Sequence, residues 1–75
     1  MGGDIFMKKI SYNPLWMTLA RKGIKNRTEL KTLAGISPGT LAKLSKDQEV
    51  SMTVLVKLST ALNVPLSSIV ETIEE

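Results

Sequence analysis

Start and stop signals for α-helices recur at short intervals along this chain, and they constrain its fold more than any other feature. The pairs Asn13-Pro14 and Ser37-Pro38 each join a good N-cap residue to a proline that fits the first helical turn. Gly35 and Asn63 are residues that readily adopt the left-handed conformation with which many helices end. The spacing of these signals predicts several short helices joined by tight turns.

Apolar residues recur at three- and four-residue spacing between those signals, as in helices that bury one face. The pattern predicts five helices, which start near Asn13, Asn26 or Thr28, Ser37, Ser51 and Ser67. A chain of 75 residues has room for one domain. We therefore expect an all-α fold, a compact five-helix bundle, with the domain occupying residues 13–75.

Residues 1–12 have no helical period and are predicted to form an N-terminal arm. The neighbouring glycines Gly2 and Gly3 favour partial disorder at its start. The alternation expected of a short edge strand is present in Phe6, Lys8, Ile10 and Tyr12.

The apolar stripes of the predicted helices supply the core. Trp16 lies on the stripe of the first helix, so we expect it to be buried rather than to stack on a base. The stripe of the fourth helix consists of Met52, Leu55, Leu58 and Leu62. The last helix is expected to direct inward Ile69, Val70 and Ile73. Val54 and Val56 lie off the stripe, and this surplus of apolar surface predicts a homodimer through the C-terminal helix, helped by the arm.

Charge is distributed unevenly along the chain. Between Lys8 and Lys46 there are nine basic residues and one acid, Glu29, whereas from Asp47 onward five acids accompany Lys57 alone. In one small domain, such a division predicts a basic surface that faces a polyanion and an acidic surface that faces away from it. Nucleic acid is the polyanion that this pattern favours.

The residue types that are absent argue against catalysis. The chain has no cysteine and no histidine, which removes thiolate and imidazole ligands and the commonest nucleophiles and general bases. No glycine-rich phosphate loop or inward pair of carboxylates is present. We expect no enzyme, no catalytic residue, no metal and no cofactor. No apolar run is long enough for a membrane span, so a cytoplasmic protein without membrane contact is predicted.

Residues 28–44 contain the pattern of a helix-turn-helix. Two short helical segments flank Gly35, which suits the turn, and Ile36, which is expected to lie beneath it. Leu30, Leu41 and Leu44 fall where apolar contacts would hold the second helix across the first. The locked pair would present the second helix to a groove of double-stranded DNA.

These residues resemble the Cro and phage-repressor (XRE) family of helix-turn-helix transcriptional regulators. The segment LKTLAGISPGTLAKL is similar to the central motif of that family, and SMTVLVKLSTALNVPLSSIV is similar to its fourth helix and the turn that follows. The segment YNPLWMTLARKGI resembles the start of the small single-domain members. The resemblance implies a lambda-repressor-like fold, with residues 37–45 forming a recognition helix in the major groove.

The resemblance also implies which residues contact DNA. Groove-facing or base-reading positions are occupied by Pro38, Gly39, Thr40, Ala42 and Lys43. Arg27 stands where the family often has a phosphate-binding glutamine, and Thr28 and Lys46 are further expected contacts. Ser37 is first a helix cap, with a phosphate contact as a second role. Because Pro38, Gly39 and Ala42 offer no side-chain hydrogen bonds, direct readout is expected to be thin.

Three functions remain open at this point. The leading hypothesis is a sequence-preferring transcriptional regulator, a repressor that binds a palindromic operator as a homodimer. The second is a protein-interaction module on the same fold, such as an antitoxin that binds a toxin or an antagonist subunit that pairs with another regulator. The third is a nonspecific nucleic-acid binder, which the thin readout surface favours.

Overall fold

The computed structural model describes residues 8–74 and contains, within that range, four α-helices and one two-stranded sheet. In chain order the elements are β1 (Lys8–Ser11), α1 (Asn13–Arg21), α2 (Arg27–Ala34), α3 (Pro38–Ser45), α4 (Met52–Leu62), a 3-10 turn (Leu66–Ser68) and β2 (Glu71–Glu74). The first four predicted helices are thereby confirmed. Among the described helices, none is long and apolar enough to cross a membrane.

Polar caps start three of the four helices, as the sequence predicts. The first turns of α2, α3 and α4 donate backbone N–H hydrogen bonds of 2.8, 3.2 and 3.2 Å to the side chains of Asn26, Ser37 and Ser51. The first helix differs, because Tyr12 occupies its N-cap position and Asn13 is already helical. The side chain of Tyr12 makes no capping bond. The start of α1 is held by the Ser11 hydroxyl, which accepts from the backbone N–H of Asn13 at 3.2 Å, and by Asp47, which accepts from the backbone N–H of Tyr12.

The predicted fifth helix is wrong. A single 3-10 turn is followed by strand β2, which runs antiparallel to β1 with Ser11 opposite Glu71 and Lys8 opposite Glu74. The all-α prediction is therefore corrected to a mostly helical fold that includes a small sheet. The strand predicted near the N-terminus is confirmed over Lys8–Ser11, whereas Phe6 lies outside the described residues.

Two features favour the extended backbone of this last segment. Val70, Thr72 and Ile73 are β-branched, and such side chains fit a pleated strand better than a helix. Pairing with β1 gives the segment backbone hydrogen-bond partners that a short terminal helix would have to supply by itself. Ile73 is 40% exposed rather than directed inward, and the C-terminal helix predicted as a dimer surface is not formed within residues 8–74.

The core lies where α1, α2, α3 and α4 meet. Its buried apolar side chains are Tyr12, Leu15, Leu19, Leu30, Ala34, Ile36, Leu44, Leu58, Leu62 and Ile69. Trp16 is only half-buried and packs at the edge of this cluster. Met52 is 64% exposed, so its prediction as a core residue is wrong. At 100° per residue, Met52 lies about 120° around α4 from Leu58, which directs it away from the buried face.

Candidate nucleic-acid interface

The turn between α2 and α3 fixes the angle between these helices. Gly35 adopts a left-handed conformation with φ of 67°, and its N–H donates to the carbonyl oxygen of Lys31 at 2.9 Å. The N–H of Ile36 donates to the same oxygen at 3.2 Å, and the Ile36 side chain is buried beneath the turn. The sequence predicts both features correctly. As a result α3 is held as a rigid outer helix.

One face of α3 is turned to the core and the opposite face to solvent. Leu44 is fully buried, and Leu41 is half-buried against the core. The residues predicted to face DNA are largely on the other side: Ser37, Pro38, Gly39, Ala42, Lys43 and Lys46 are exposed, and Thr40 is half-buried. The structure thus brings seven of the nine predicted contact residues together along α3 and at its two ends.

The start of α3 carries a small hydroxyl network. The Ser37 Oγ accepts a hydrogen bond from the backbone N–H of Thr40 at 3.2 Å and donates its own proton to the Thr40 Oγ1 at 3.0 Å. Thr40 is the acceptor in this side-chain contact, so its own hydroxyl proton remains available to a base or phosphate oxygen. Ser37 therefore acts first as a cap and also orients the Thr40 hydroxyl.

Arg27 has an internal role that the sequence prediction missed. Its guanidinium carbon lies 4.2 Å from the centroid of the Trp16 ring, and its Nη1 donates a hydrogen bond to the Ser45 hydroxyl. Ser45 in turn donates to the carbonyl oxygen of Leu41 at 3.1 Å. A single exposed arginine thus joins α1, α2 and the C-terminal end of α3. The signal available in the sequence is the serine at position 45, whose small hydroxyl leaves room for a long side chain from α2.

The remaining predicted contact residue, Thr28, lies in the first turn of α2 and is exposed. Beside it, Glu29 forms a capping arrangement, because its backbone N–H donates to Asn26 at 2.8 Å and its carboxylate accepts from the backbone N–H of Lys25 at 3.2 Å. The side chains of Asn26 and Glu29 occupy part of the positive end of the α2 dipole, and the exposed side chains of Arg27 and Thr28 lie beside it. This arrangement is suited to an anion such as a DNA phosphate.

Positive charge is concentrated near the C-terminal end of α3. Lys43 and Lys46 are exposed, and neither pairs with a carboxylate among the residues that the structure describes. The nearest acid in sequence, Asp47, directs its Oδ1 to the backbone N–H of Tyr12 at 3.0 Å. Since neither lysine pairs with a described carboxylate, both ammonium groups are available to an external anion. The sequence alone indicates only that Asp47 begins the acidic part of the chain.

Within residues 8–74, no group of three histidine, cysteine or acidic side chains could hold a metal ion. The chemistry available at the α2–α3 surface is hydrogen bonding, cationic attraction and apolar contact. These are the interactions with which proteins bind the edges of bases and the phosphate backbone.

Comparison with known proteins agrees with this geometry. Residues 14–75 match a family model described as the Cro/C1-type HTH DNA-binding domain. No curated protein is a match to the chain. A solved structure, the transcriptional regulator VanUg (Form II), is similar over 100% of this chain and 99% of its own, with 35% sequence identity and a TM-score of 0.87. The chain therefore belongs to the family of Cro/C1-type helix-turn-helix DNA-binding domains.

Proposed function

We propose that this protein is a sequence-preferring, double-stranded-DNA-binding transcriptional regulator that acts as a repressor by occupying an operator. One observation carries the proposal: α3 is locked to the core through Leu44 and exposes Pro38, Gly39, Ala42 and Lys43 on its opposite face. A helix presented in this way fits the major groove of B-form DNA. The proposal requires no catalysis and no cofactor.

Within this proposal the exposed face of α3 reads the bases. Thr40 donates its hydroxyl proton to a base acceptor, and Lys43 contacts a guanine or a phosphate. Ala42 offers a methyl group to thymine, while Pro38 and Gly39 allow the backbone to approach the groove closely. These few groups support modest direct readout, with DNA shape supplying part of the preference.

Phosphate contacts position the domain. Thr28 and Arg27 stand in the first turn of α2 with exposed side chains, and Ser37 and Lys46 stand at the two ends of α3. Contacts from two helices on either side of the groove would hold α3 in register without reading sequence. The internal contacts of Arg27 with Trp16 and Ser45 fix the orientation of its guanidinium.

We also propose that the protein binds a palindromic site as a homodimer. Leu33 and Val56 line a shallow groove between α2 and α4, and both side chains are about half exposed, at 48% and 51%. Met52 lies one turn before Val56 and is also exposed. A second copy would bury this apolar area, whose exposure to water is unfavourable. Sedimentation of the wild type and of Val56→Glu tests this, since a monomeric wild type at micromolar concentration would contradict it.

Selection from a random duplex pool at near-physiological salt, with nonspecific competitor, tests the main proposal. An enriched inverted repeat with half-sites about one helical turn apart is the expected result. Enrichment of single half-sites would support the regulator and contradict the dimer. Binding without any enriched sequence would instead identify a nonspecific nucleic-acid binder.

A second candidate function is a protein-interaction module that pairs with another regulator or with a toxin. The observation that favours it is the same exposed apolar surface formed by Leu33, Met52 and Val56. Absence of any DNA binding in the selection would place this function first.

A further inference from the structure

Tyr12 connects the start of α1 to the loop that follows α3. Its backbone N–H donates to the Asp47 Oδ1 at 3.0 Å, and its hydroxyl donates to the backbone carbonyl oxygen of Gln48 at 2.7 Å. Only 1% of the Tyr12 surface is exposed, so its ring is fixed by the core. Two hydrogen bonds from one buried residue therefore hold two consecutive loop residues.

The same two loop residues close the C-terminal end of α3. The backbone N–H of Asp47 donates to the carbonyl oxygen of Leu44 at 3.3 Å, and that of Gln48 donates to the carbonyl oxygen of Lys43 at 2.9 Å. The path of contacts thus runs from Tyr12 through the loop to the backbone of Lys43. Any movement of the loop relative to α1 would move the end of the helix that carries Lys43 and Lys46.

We propose that Asp47 is a positioning residue for DNA recognition, which sets the orientation of α3 by holding the loop after it against the start of α1. This role rests on the proposed function of α3. Asp47 touches no DNA in this account and acts through the backbone at Lys43. Removal of the Asp47 side chain should lower the preference of the protein for one DNA sequence over another more than it lowers the affinity for DNA in general.

The backbone at Asp47 determines which variants are informative. Asp47 has a φ of 55°, in the left-handed region that asparagine and glycine also tolerate. Asp47→Asn keeps this conformation and the oxygen that accepts from Tyr12. Asp47→Gly keeps the conformation but removes the acceptor. Because both variants remove one negative charge, the charge does not contribute to the difference between them, which reports the lost acceptor together with the freer backbone of glycine.

The first measurement is the ratio of affinities for a selected site and for a scrambled duplex of equal length. It is made at one salt concentration and at a temperature where circular dichroism shows all variants folded. We expect the ratio to stay within about twofold of wild type in Asp47→Asn and to fall roughly three- to tenfold in Asp47→Gly, the range that one or two hydrogen bonds typically supply. A substitution that only unfolded part of the protein would lower the fraction of molecules able to bind DNA and would leave the ratio of the two affinities unchanged. Equal ratios in the two variants would overturn the proposal.

Amide hydrogen exchange separates failure of the positioning role from failure of the proposed function. In the absence of DNA, the Gln48 amide, which donates to Lys43, should exchange faster in Asp47→Gly than in Asp47→Asn. Equal exchange in the two variants would overturn the contact path itself. If the wild type bound the selected and the scrambled duplex equally, sequence recognition by α3 would be wrong. The positioning role of Asp47 would then fail as well, even if amide exchange differed between the two variants.

Discussion

The guanidinium of Arg27 lies 4.2 Å from the centroid of the Trp16 ring while its Nη1 donates to Ser45. A cation over the face of an indole is attracted by the ring quadrupole, and at an exposed site the interaction contributes modestly. The residue that the sequence resemblance predicts to bind phosphate therefore also holds three helices together. Its loss should affect the fold as well as DNA binding.

Arg27→Ala is expected to lower the free energy of unfolding by about 1 kcal/mol, because it removes the contact with Trp16 and the hydrogen bond to Ser45. Urea unfolding followed by circular dichroism measures this change. The fluorescence of Trp16, the one tryptophan of the chain, should shift in the native state as well. Lys22→Ala is the matched control, since it removes an exposed positive charge at the end of α1 and Lys22 lies outside the cavity lined by Trp16 and Arg27. Equal destabilisation by both variants would contradict the specific role of Arg27.

Lys43→Ala should weaken binding to all duplexes and reduce the salt dependence of affinity by about one phosphate contact, if Lys43 meets the backbone. Titrations at several salt concentrations give the slope of log affinity against log salt. Lys57→Ala provides the comparison once sedimentation shows that it leaves the oligomeric state unchanged, because Lys57 lies on α4, outside α3. An unchanged slope in Lys43→Ala would reject the phosphate contact.

Thr40→Ala is expected to change preference between sites, by about 1–3 kcal/mol if its hydroxyl reads a base. Competition between the selected site and single-base variants of it measures this preference. Thr40→Ser retains the hydroxyl and should keep the wild-type ranking of sites. A Thr40→Ala protein that loses affinity equally on every site would show that the hydroxyl contacts the backbone instead.

Gly35→Ala should destabilise the protein by about 1 kcal/mol, because a side chain at φ of 67° clashes with its own backbone. The cost is conformational, since no atom lies within 4 Å of the position that a Cβ would occupy. Gly35→Asn should cost less, because asparagine tolerates the left-handed region. Thermal unfolding of the two variants makes the comparison, and an equal loss in both would point to crowding rather than to backbone strain.

Burial raises the pKa of the Tyr12 hydroxyl above its ordinary value, and the charges of Asp47 and Glu49 act in the same direction, whereas a backbone hydrogen bond at Val50 opposes them. Since the folded-state pKa is the higher one, the unfolded chain releases the proton first. The protonated Tyr12 hydroxyl therefore makes its full contribution to the free energy of unfolding below a pH of about 10. This contribution is lost as pH rises toward the folded-state pKa.

The ultraviolet absorbance of tyrosinate reports this ionisation directly, because Tyr12 is the one tyrosine of the chain. We expect its midpoint in the native protein to lie above that of the same chain in denaturant. Coincident midpoints would show that burial does not raise the pKa of this hydroxyl in the native protein.

Local rules account for most of what the sequence predicts correctly. The caps at Asn26, Ser37 and Ser51 and the turn at Gly35 depend on residues within a few positions of one another. The exposed face of α3 follows from the helical period once Leu44 is buried. The helix-turn-helix and the exposed face of α3 are therefore readable from the sequence.

The errors arise where distant parts of the chain decide the outcome. The segment ending in Glu74 is too short for its apolar spacing to separate a helix from a strand, and pairing with β1 selects the strand. The bond between Tyr12 and Asp47 joins residues 35 positions apart, so no local pattern reveals it. The contact of Arg27 with Trp16 likewise requires α1 and α2 to be packed first.

The pairing of β1 with β2 has a mechanical consequence. The two strands come from opposite ends of the described chain, so their pairing encloses all four helices in one loop, whose closure costs conformational entropy. Lys8 and Glu74 meet at the outer end of the ribbon, and Ser11 and Glu71 meet at its base. A force that pulls Lys8 and Glu74 apart would peel the strands one pair at a time instead of shearing them together. The ribbon would therefore open at low force, before the helical core begins to yield.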